Sequence, residues 1–426
     1  MVRSKWNVEE IEDTRLQMNQ LQQRMEQYAS TKKLGIAFLR AFLGGIKARI
    51  LRSRHTNEEV SSVDFFASNP DFKPYQIKLK SPVSSETLPK ILHVIPYFVT
   101  GGSQQLVVDL IEGLSDQYAH EVALFKVHAE QGYVGITVHD CSVVNTPEAF
   151  LSILQSIRPD IIHVHYYGRW PTSFWHWYHA VFQGSFLYGK AVIENCNIPY
   201  MPYFHSNIRK YVYVSQYAQD TYGIRKLDNQ VIYPGSNFSF FQRLGTRPDP
   251  DTIGMVYRLE NDKLNENAIQ PFILSVQKRP QTKVIIVGGG RYLELFKQRV
   301  SEAGVASQFT FTGYVAYERL AEYYRQLAVF VAPIYSESFG QVTPFAMNMG
   351  IAVAAYNIGA LEEMLNNQEV LAPGDDADAL SDIIVGLLND PARRESIGAA
   401  NRARAASLFT VEAMVQQYQV LYQSLL

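Results

Sequence analysis

Short apolar runs alternate with helix-like segments along most of this 426-residue chain, and the apolar runs fall into two sets. The first set extends from Ile91–Ile95 to Val231–Tyr233, and the second from Ile253–Val256 to Ile351–Ala355. Near-continuous apolar runs joined by helices are typical of parallel strands that are buried on both faces. Two such sets predict an α/β protein with two doubly wound domains.

This pattern also predicts the domain bounds. Residues 89–240 form the first domain and residues 241–408 the second, with a linker near Thr246–Pro250. Residues 409–426 are amphipathic at helical spacing, and we expect them to form a helix that crosses back to the first domain. Residues 1–88 are a helical extension that ends in a polar linker.

The extension contains two segments that suggest contacts. Apolar residues at heptad spacing in residues 8–28 indicate either a short coiled coil, which predicts a homo-oligomer, or a single helix packed on its own domain. In residues 32–55 every charged side chain is basic, and the apolar positions share one helical arc. Such a helix favours contact with an anionic membrane surface, and a solvated helix that covers its own domain is the alternative.

Composition narrows the class of protein. The net charge of −2 gives no reason to expect nucleic acid as a partner. Cys141 and Cys196 are the only cysteines, which favours a reducing, cytoplasmic location without a disulfide framework. The sequence shows no signal peptide pattern and no apolar run long enough to span a membrane. With the basic helix, this predicts a protein on the inner face of the membrane.

Glycines and cations follow several predicted strands. Gly101 and Gly102 precede a helix, where they serve either the close approach of a phosphate or a plain tight turn. Arg258 and Lys263 follow the first strand of the second domain, where two cations can clamp a diphosphate. The alternative is a surface ion pair with Glu260 or Asp262.

Residues 336–350 carry the most chemistry. A short strand, Val329–Ala332, is followed by an acidic loop with glycine and then by a helix start, an arrangement that creates an anion site. Glu337 in that loop repels phosphate, so it is better suited to bind the hydroxyls of a sugar that is attached to the phosphate. This predicts a sugar-nucleotide enzyme.

Together these landmarks resemble the family-4 retaining glycosyltransferases (glycosyl transferases group 1), which have the GT-B fold. The resemblance extends from about Leu88 to the C-terminus, and the second-domain landmarks are the specific ones because they keep both order and spacing. The landmarks are Gly101–Gly102, Arg158–His165, Tyr213–Ser215, Ile232–Gly235, Arg258, Lys263, Gly288–Gly290, Gly313 and Glu337–Gly340.

The resemblance implies two Rossmann-like domains that face a cleft, the first for the acceptor and the second for a nucleoside-diphosphate sugar. The cations would neutralise the diphosphate and Glu337 would orient the sugar, so neither a metal nor a cofactor is expected. Configuration would be retained, with the donor phosphate accepting the acceptor's proton. The donor contacts that the resemblance implies are Gly101, Gly102, Arg258, Lys263, Gly288, Tyr314, Val315, Phe339, Gly340, Gln341 and Val342.

His165 would complete the catalytic set of Glu337, Arg258 and Lys263 by pointing into the cleft, and the alternative is a satisfied core histidine. The neighbouring His163, His176 and His179 have no carboxylate or cysteine pattern nearby, so no metal site is predicted. The aromatic cluster at residues 169–178 is either core or the acceptor surface. The acceptor interpretation assigns contacts to Trp170, Trp175 and Trp177.

One departure from the family concerns the donor. The family has a second glutamate that is assigned to the nucleotide ribose, and the matching position here is Phe345. Other departures are Glu194–Asn197, where relatives carry a histidine, and Asn237, where an aspartate is common.

The predicted function is transfer of a sugar from a nucleotide donor to a glycan or a lipid-linked glycan, as in polysaccharide biosynthesis. A non-catalytic GT-B subunit that binds glycan or a partner protein is the first alternative. An epimerase or phosphorylase on the same fold is the second.

Overall fold

The computed structural model describes residues 77–78, 88–98, 102–127, 133–166, 173–197, 201–224, 226–243 and 248–426. The chain divides into two compact units, Met1–Lys73 and Pro74–Leu426, and all described residues belong to the second unit. The coiled coil predicted at residues 8–28 and the basic helix predicted at residues 32–55 lie outside the described residues and stay predictions.

The described residues contain fifteen strands. They are β1 (Ile77–Lys78), β2 (Lys90–Tyr97), β3 (Ala119–Lys126), β4 (Tyr133–Val134), β5 (Thr137–Asp140), β6 (Ile161–Tyr166), β7 (Ala191–Cys196), β8 (Ile208–Tyr213), β9 (Asn229–Val231), β10 (Thr252–Val256), β11 (Lys283–Val287), β12 (Phe309–Phe311), β13 (Val329–Ala332), β14 (Ala352–Tyr356) and β15 (Leu371–Ala372).

Twelve α-helices connect or flank these strands in the described residues. They are α1 (Gly102–Leu114), α2 (Pro147–Ile157), α3 (Ser173–Tyr188), α4 (Gln216–Tyr222), α5 (Gln270–Lys278), α6 (Leu293–Glu302), α7 (Leu320–Tyr324), α8 (Val342–Asn348), α9 (Leu361–Leu365), α10 (Ala377–Asn389), α11 (Pro391–Leu408) and α12 (Val411–Gln423).

The two sets of apolar runs form two parallel sheets. The first sheet has the order β5-β3-β2-β6-β7-β8-β9, and the second has the order β12-β11-β10-β13-β14-β15. A two-stranded parallel pair, β1 with β4, stands apart from both. Every residue of β6, β10, β13 and β14 is buried, as expected of parallel strands that are covered by helices on both faces. The predicted α/β class with two doubly wound sheets is confirmed.

Helix starts follow local sequence signals. Thr146 caps α2, since its side chain accepts the N–H of Ala149, and Pro147 occupies the first turn, where its missing N–H is not needed. Thr410 caps α12 in the same way through the N–H of Ala413. Thr410 therefore fixes where the last helix begins.

The last helix packs on the first sheet rather than on the second. Helix α11 lies against α8 and β14 of the second sheet. The chain then crosses at Phe409, whose carbonyl accepts the N–H of Ser236. From there α12 packs on α1, and its Tyr418 and Tyr422 are buried with Ile91 and other core residues of the first sheet. The first half of the fold is thus completed by the last helix.

Among the described residues, none of the helices combines the length and the apolar character that crossing a bilayer requires.

Candidate active site

Glu337 lies in the loop between β13 and α8 and is only 6% exposed. One oxygen of its carboxylate, Oε1, accepts the N–H of Ser338 at 3.1 Å. The other oxygen, Oε2, forms an ion pair with Lys263 Nζ, which reaches it from the loop after β10. A carboxylate this deeply buried needs such partners, because an unpaired buried charge costs several kcal/mol, on the order of 3–5.

Two glycines make room for Glu337. Gly340 has φ of +78° and Gly359 has φ of +60°, a region that residues with a side chain rarely adopt. A Cβ on Gly340 would overlap the Glu337 carboxylate, and a Cβ on Gly359 would overlap its backbone carbonyl. The position of Glu337 therefore depends on both glycines.

The two predicted cations have different partners. Arg258 Nη2 lies 2.7 Å from Asp262 Oδ2, and about half of the Arg258 side chain is exposed. Lys263 contacts Glu337 rather than Glu260 or Asp262, because Glu260 instead holds Arg291 at 2.8 Å. The surface-pair alternative thus describes Arg258 in this structure, whereas Lys263 joins two of the predicted site segments.

The glycines after β11 bring three strand ends together. Gly288 donates its N–H to the carbonyl of Gly313 at 3.0 Å, and Leu259 donates to the carbonyl of Gly289 at 2.9 Å. Gly288 has φ of +135°, and a Cβ there would overlap the carbonyl of Tyr257. Tyr314, next to Gly313, is 45% exposed. Val315 is partly buried against the core.

The side chains of Phe339 and Gln341, at the start of α8, have partners within the protein. Phe339 is 3% exposed, and its ring lies between Tyr233 and Phe409. Gln341 Nε2 donates to the carbonyl of Gly235 at 3.1 Å, and Val342 begins the helix. The donor contacts expected from the backbone of Phe339, Gly340, Gln341 and Val342 stay a prediction.

Polar contacts connect the first sheet to this loop. Ser338 Oγ donates to the backbone carbonyl of Asn197, just after β7, at 3.2 Å. Farther along, the Glu363 carboxylate of α9 accepts the backbone N–H groups of Gln216 and Tyr217 at 2.8 and 2.9 Å, where α4 begins. Tyr233 donates its hydroxyl to the same carboxylate at 3.1 Å. We refer to these three hydrogen bonds as the Glu363 clamp.

His165 does not point into an open cleft, and that prediction is corrected. Its side chain is 0% exposed, and its Nε2 lies 3.2 Å from Nδ1 of His93. Burial, followed by the charge of His93, holds the pKa of His165 well below its ordinary value. The alternative of a core histidine is the one observed, because an apolar strand pattern does not show which face of the sheet a polar side chain occupies.

The acceptor contacts predicted for two tryptophans are also corrected. Trp177 is 2% exposed, and its Nε1–H donates to the carbonyl of Cys141 at 3.0 Å. Trp175 is 6% exposed and packs against Tyr203. Both belong to the core because α3 is covered by its neighbours. Trp170 and Gly101 lie outside the described residues, and Gly102 is the exposed first residue of α1.

Phe345, the departure from the family pattern, is 4% exposed and stacks on Phe241 with ring centroids 3.9 Å apart. Tyr317 and Phe238 contact it edge-on. The face of α8 that would carry the second glutamate is therefore covered by residues that follow β9. In this chain Phe345 contributes to packing.

Glu194 at the end of β7 is a buried acid that sequence reasoning treated only as a departure. Both of its carboxylate oxygens lie within 3.1 Å of the backbone N of Tyr203, and burial raises its pKa to about 8. Asn197, Ser338 and Glu363 were also missed as contact residues. Their signal was weak, since each lies just after a strand or at a helix start with an ordinary polar side chain.

Solved glycosyltransferase structures share this architecture. Sucrose-phosphate synthase of Thermosynechococcus elongatus matches 79% of this chain and 99% of its own, with 20% identity and a TM-score of 0.61. HepE of Anabaena, solved with UDP, matches 79% of this chain and 100% of its own, with 20% identity and a TM-score of 0.64. A glycosyltransferase of Rickettsia africae gives a TM-score of 0.67 at 17% identity, over 80% of this chain and 99% of its own. These matches show the GT-B fold that the sequence predicted.

Residues 236–404 match the family model of the glycosyl transferases group 1. A lipopolysaccharide core biosynthesis mannosyltransferase of Rhizobium meliloti is 28% identical over 192 residues, 43% of this chain and 54% of the relative. A GDP-mannose-dependent phosphatidylinositol monomannoside mannosyltransferase of Mycobacterium tuberculosis is 32% identical over 170 residues, 38% of this chain and 43% of the relative. The match spans about half the length of these relatives. The predicted resemblance to this family is confirmed for residues 236–404.

Proposed function

We propose that this protein transfers a sugar from a nucleoside-diphosphate sugar to a glycan or a lipid-linked glycan, with retention of configuration. The observation that carries the proposal is the ion pair between Lys263 and Glu337. It places a cation and a carboxylate side by side where the loops after β10 and β13 meet. A sugar diphosphate needs a cation for its phosphates and a carboxylate for the hydroxyls of its sugar.

Lys263 acts on the leaving group. In the free protein its ammonium is held by Glu337, and a bound diphosphate offers that ammonium more negative charge than one carboxylate does. Arg258 is half exposed beside Asp262 and can turn to the same diphosphate. The two cations would stabilise the charge that develops on the departing nucleotide, which is usually the largest contribution to catalysis. In this proposal the two cations neutralise the phosphate charge, so neither a metal nor a cofactor is required at the donor site.

Glu337 acts on the sugar. Its carboxylate is fixed by the N–H of Ser338, so it can accept hydrogen bonds from sugar hydroxyls with little reorganisation. The N–H groups at the start of α8 add partial positive charge on the phosphate side. The donor phosphate would then accept the proton of the acceptor hydroxyl on the face from which it leaves, as the family resemblance implies.

Named relatives support the choice of donor and acceptor classes. The Mycobacterium tuberculosis relative is described as using GDP-mannose and acting on a phosphatidylinositol mannoside, and the Rhizobium meliloti relative acts in lipopolysaccharide core synthesis. A nucleoside-diphosphate hexose and a lipid-linked glycan are accordingly the first donor and acceptor to try.

The test uses the purified full chain and a panel of UDP, GDP and dTDP sugars, first for binding by calorimetry and then for transfer. Glu337→Gln keeps the size of the side chain and removes its charge, and we expect it to abolish transfer. Glu294→Gln, on the exposed face of α6, is the matched control and should transfer normally. Equal turnover in the two variants would refute the proposed role of Glu337. An epimerised sugar formed without acceptor would indicate an epimerase, and a sugar phosphate formed with free phosphate would indicate a phosphorylase.

Phe345 favours a second candidate, a GT-B subunit without donor chemistry. The aromatic stack of Phe345 on Phe241 fills the helix face that carries a carboxylate in the family. Under this alternative no sugar nucleotide binds, and the chain binds a glycan or a protein partner. If calorimetry detects no binding heat with any donor in the panel, the non-catalytic subunit is favoured over the transferase.

The location and partners suggested by residues 1–88 belong to the same proposal. Contact of residues 32–55 with an anionic membrane predicts that vesicles containing phosphatidylglycerol sediment the full chain but not a variant with the basic residues of this segment changed to glutamine. A coiled coil at residues 8–28 predicts a dimer by light scattering. If the protein is a monomer and does not sediment with the vesicles, the proposed membrane contact and the proposed dimer are wrong. The enzyme proposal is unaffected by that result.

A further inference from the structure

Three histidines meet in the core of the first sheet. His93 on β2 and His163 on β6 are register partners in adjacent parallel strands, and His165 follows on β6. All three side chains are 0% exposed. Each can offer one ring nitrogen to a common point, and those nitrogens lie within 4.8 Å of one another. This cluster has no role in the proposed transfer.

The outer ring nitrogens of two of these histidines are fixed by neighbours. His93 Nε2 lies 3.0 Å from Nδ1 of His120, and His163 Nδ1 lies 2.8 Å from the hydroxyl of Tyr422 on the last helix. Second partners of this kind orient metal-binding histidines and select which nitrogen is free. They leave His93 Nδ1 and His163 Nε2 available for the interior of the cluster.

One of the interior nitrogens has no partner. His163 Nε2 is buried and makes no hydrogen bond within the described residues; the same holds for His165 Nδ1, which is not the nitrogen that faces His93. Buried polar atoms without partners are uncommon in native proteins, and a water or an ion is a usual explanation. A neutral imidazole has one nitrogen with a free lone pair, which can bind a metal ion.

We propose that His93, His163 and His165 bind one transition-metal ion, with Zn²⁺ as the first candidate, within the core of the first sheet. Neutral imidazole is a preferred ligand of zinc, copper and nickel. With Zn–N distances of about 2.0–2.1 Å, tetrahedral geometry places the nitrogens roughly 3.3 Å apart. His93 Nδ1 and His165 Nε2 are 3.2 Å apart. The His163 nitrogen lies within 4.8 Å of the other two, so it completes the set by moving towards them.

This ion would hold β2 and β6 together and has no part in the donor site. Sequence reasoning missed the site because His93 lies about 70 positions before the His163–His165 pair, and only the sheet brings them together. The competing interpretation is a chain of hydrogen-bonded neutral imidazoles with a buried water.

Because the site is closed to solvent, the ion has to enter during folding, and the experiment must refold the protein. The full chain is unfolded in denaturant with chelator, freed of both, and refolded with Zn²⁺, with Co²⁺ or with chelator present. We expect about one ion per chain by mass spectrometry of the metal content. The Co²⁺ form should show the intense visible absorption of a tetrahedral site, and the Zn²⁺ form should melt at a higher temperature than the chelator-refolded form.

His93→Asn removes one ligand, and we expect it to refold without bound metal and with the same melting temperature in Zn²⁺ and in chelator. His176→Gln, on the exposed side of α3, is the control and should bind metal like the unchanged protein. If the unchanged protein refolds metal-free with no Co²⁺ absorption and no change of melting temperature, the ion-free imidazole chain is the correct interpretation. That result holds whether or not the histidine variant folds, and it leaves the transfer proposal untouched.

Discussion

Lys263 and Glu337 form an ion pair that ties the loop after β10 to the loop after β13. The carboxylate is 6% exposed and the lysine side chain 30% exposed, so the pair lies at the edge of the core. Each residue was assigned from the sequence to a different part of the donor, and the structure shows that they also hold each other. Their contact has a consequence for stability that is separate from catalysis.

Lys263→Ala should therefore destabilise the protein, because Glu337 keeps its burial and loses its cation. We expect a loss of about 3–5 kcal/mol in the free energy of unfolding, measured by urea denaturation. Lys297→Ala removes the cation of an exposed pair with Glu294 and should change stability by less than about 0.5 kcal/mol. Equal effects of the two substitutions would show that the Lys263–Glu337 pair adds nothing to the fold.

Gly340→Ala should cost more stability than Gly304→Ala. Both glycines have positive φ, +78° and +73°, so each substitution carries a backbone cost of about 1 kcal/mol. Only at Gly340 would the new Cβ also overlap the Glu337 carboxylate, whereas Gly304 faces open space. Thermal melts of the two variants measure the difference, and we expect donor binding to weaken in Gly340→Ala alone. A donor affinity unchanged in Gly340→Ala would contradict the proposed role of this loop.

Glu363→Ala should loosen the contact between the two sheets. The substitution removes all three hydrogen bonds of the Glu363 clamp, and it leaves two N–H groups of α4 without their acceptor. We expect a loss of about 1–3 kcal/mol in unfolding free energy and a larger radius of gyration by small-angle X-ray scattering. Glu362→Ala changes the neighbouring exposed residue, whose carboxylate contacts Gln368, and is the control. An unaltered scattering profile for Glu363→Ala would rule out a clamp.

Glu194→Gln should flatten the dependence of stability on pH. Burial raises the pKa of the folded Glu194 from 4.5 to about 8, so between these values the folded protein binds more protons than the unfolded chain. The contribution of Glu194 is fully present below pH 4.5 and is lost as pH rises towards 8, at up to about 1.4 kcal/mol per pH unit. Glutamine does not ionise, so this loss of stability with rising pH is absent in Glu194→Gln. Melting temperatures of both proteins from pH 5 to 8 provide the measurement, and parallel curves would contradict the raised pKa.

Much of the fold could be predicted because buried parallel strands have a simple pattern. The run Ile253–Val256 was predicted as a strand and lies within β10, and the predicted strand Val329–Ala332 is β13. Three strands were missed: β4, which pairs with β1, and β5 and β15, which lie at the edges of their sheets. β5 is partly or fully exposed along its length, so it has no continuous apolar run to reveal it.

The site was harder to predict than the fold. Loop positions after strands could be assigned, since carboxyl ends of parallel strands meet at one edge of a sheet. The direction of each side chain and its choice of partner could not be predicted in this way. His165 and Trp177 belong to the core, and Lys263 selects Glu337 over nearer carboxylates in the sequence. These outcomes depend on packing between segments far apart in the chain, which a local pattern does not contain.

The bond between His163 and Tyr422 joins residues 259 positions apart. A ribosome that adds about 5–20 residues per second needs roughly 13–50 seconds to make that stretch. Through this interval the first sheet exists without its last helix, and the surface that Tyr418 and Tyr422 will cover stays open to water. The first sheet is therefore completed only after the second sheet has been synthesised. A stalled or shortened chain would expose this surface, where chaperones and proteases of the cell could bind.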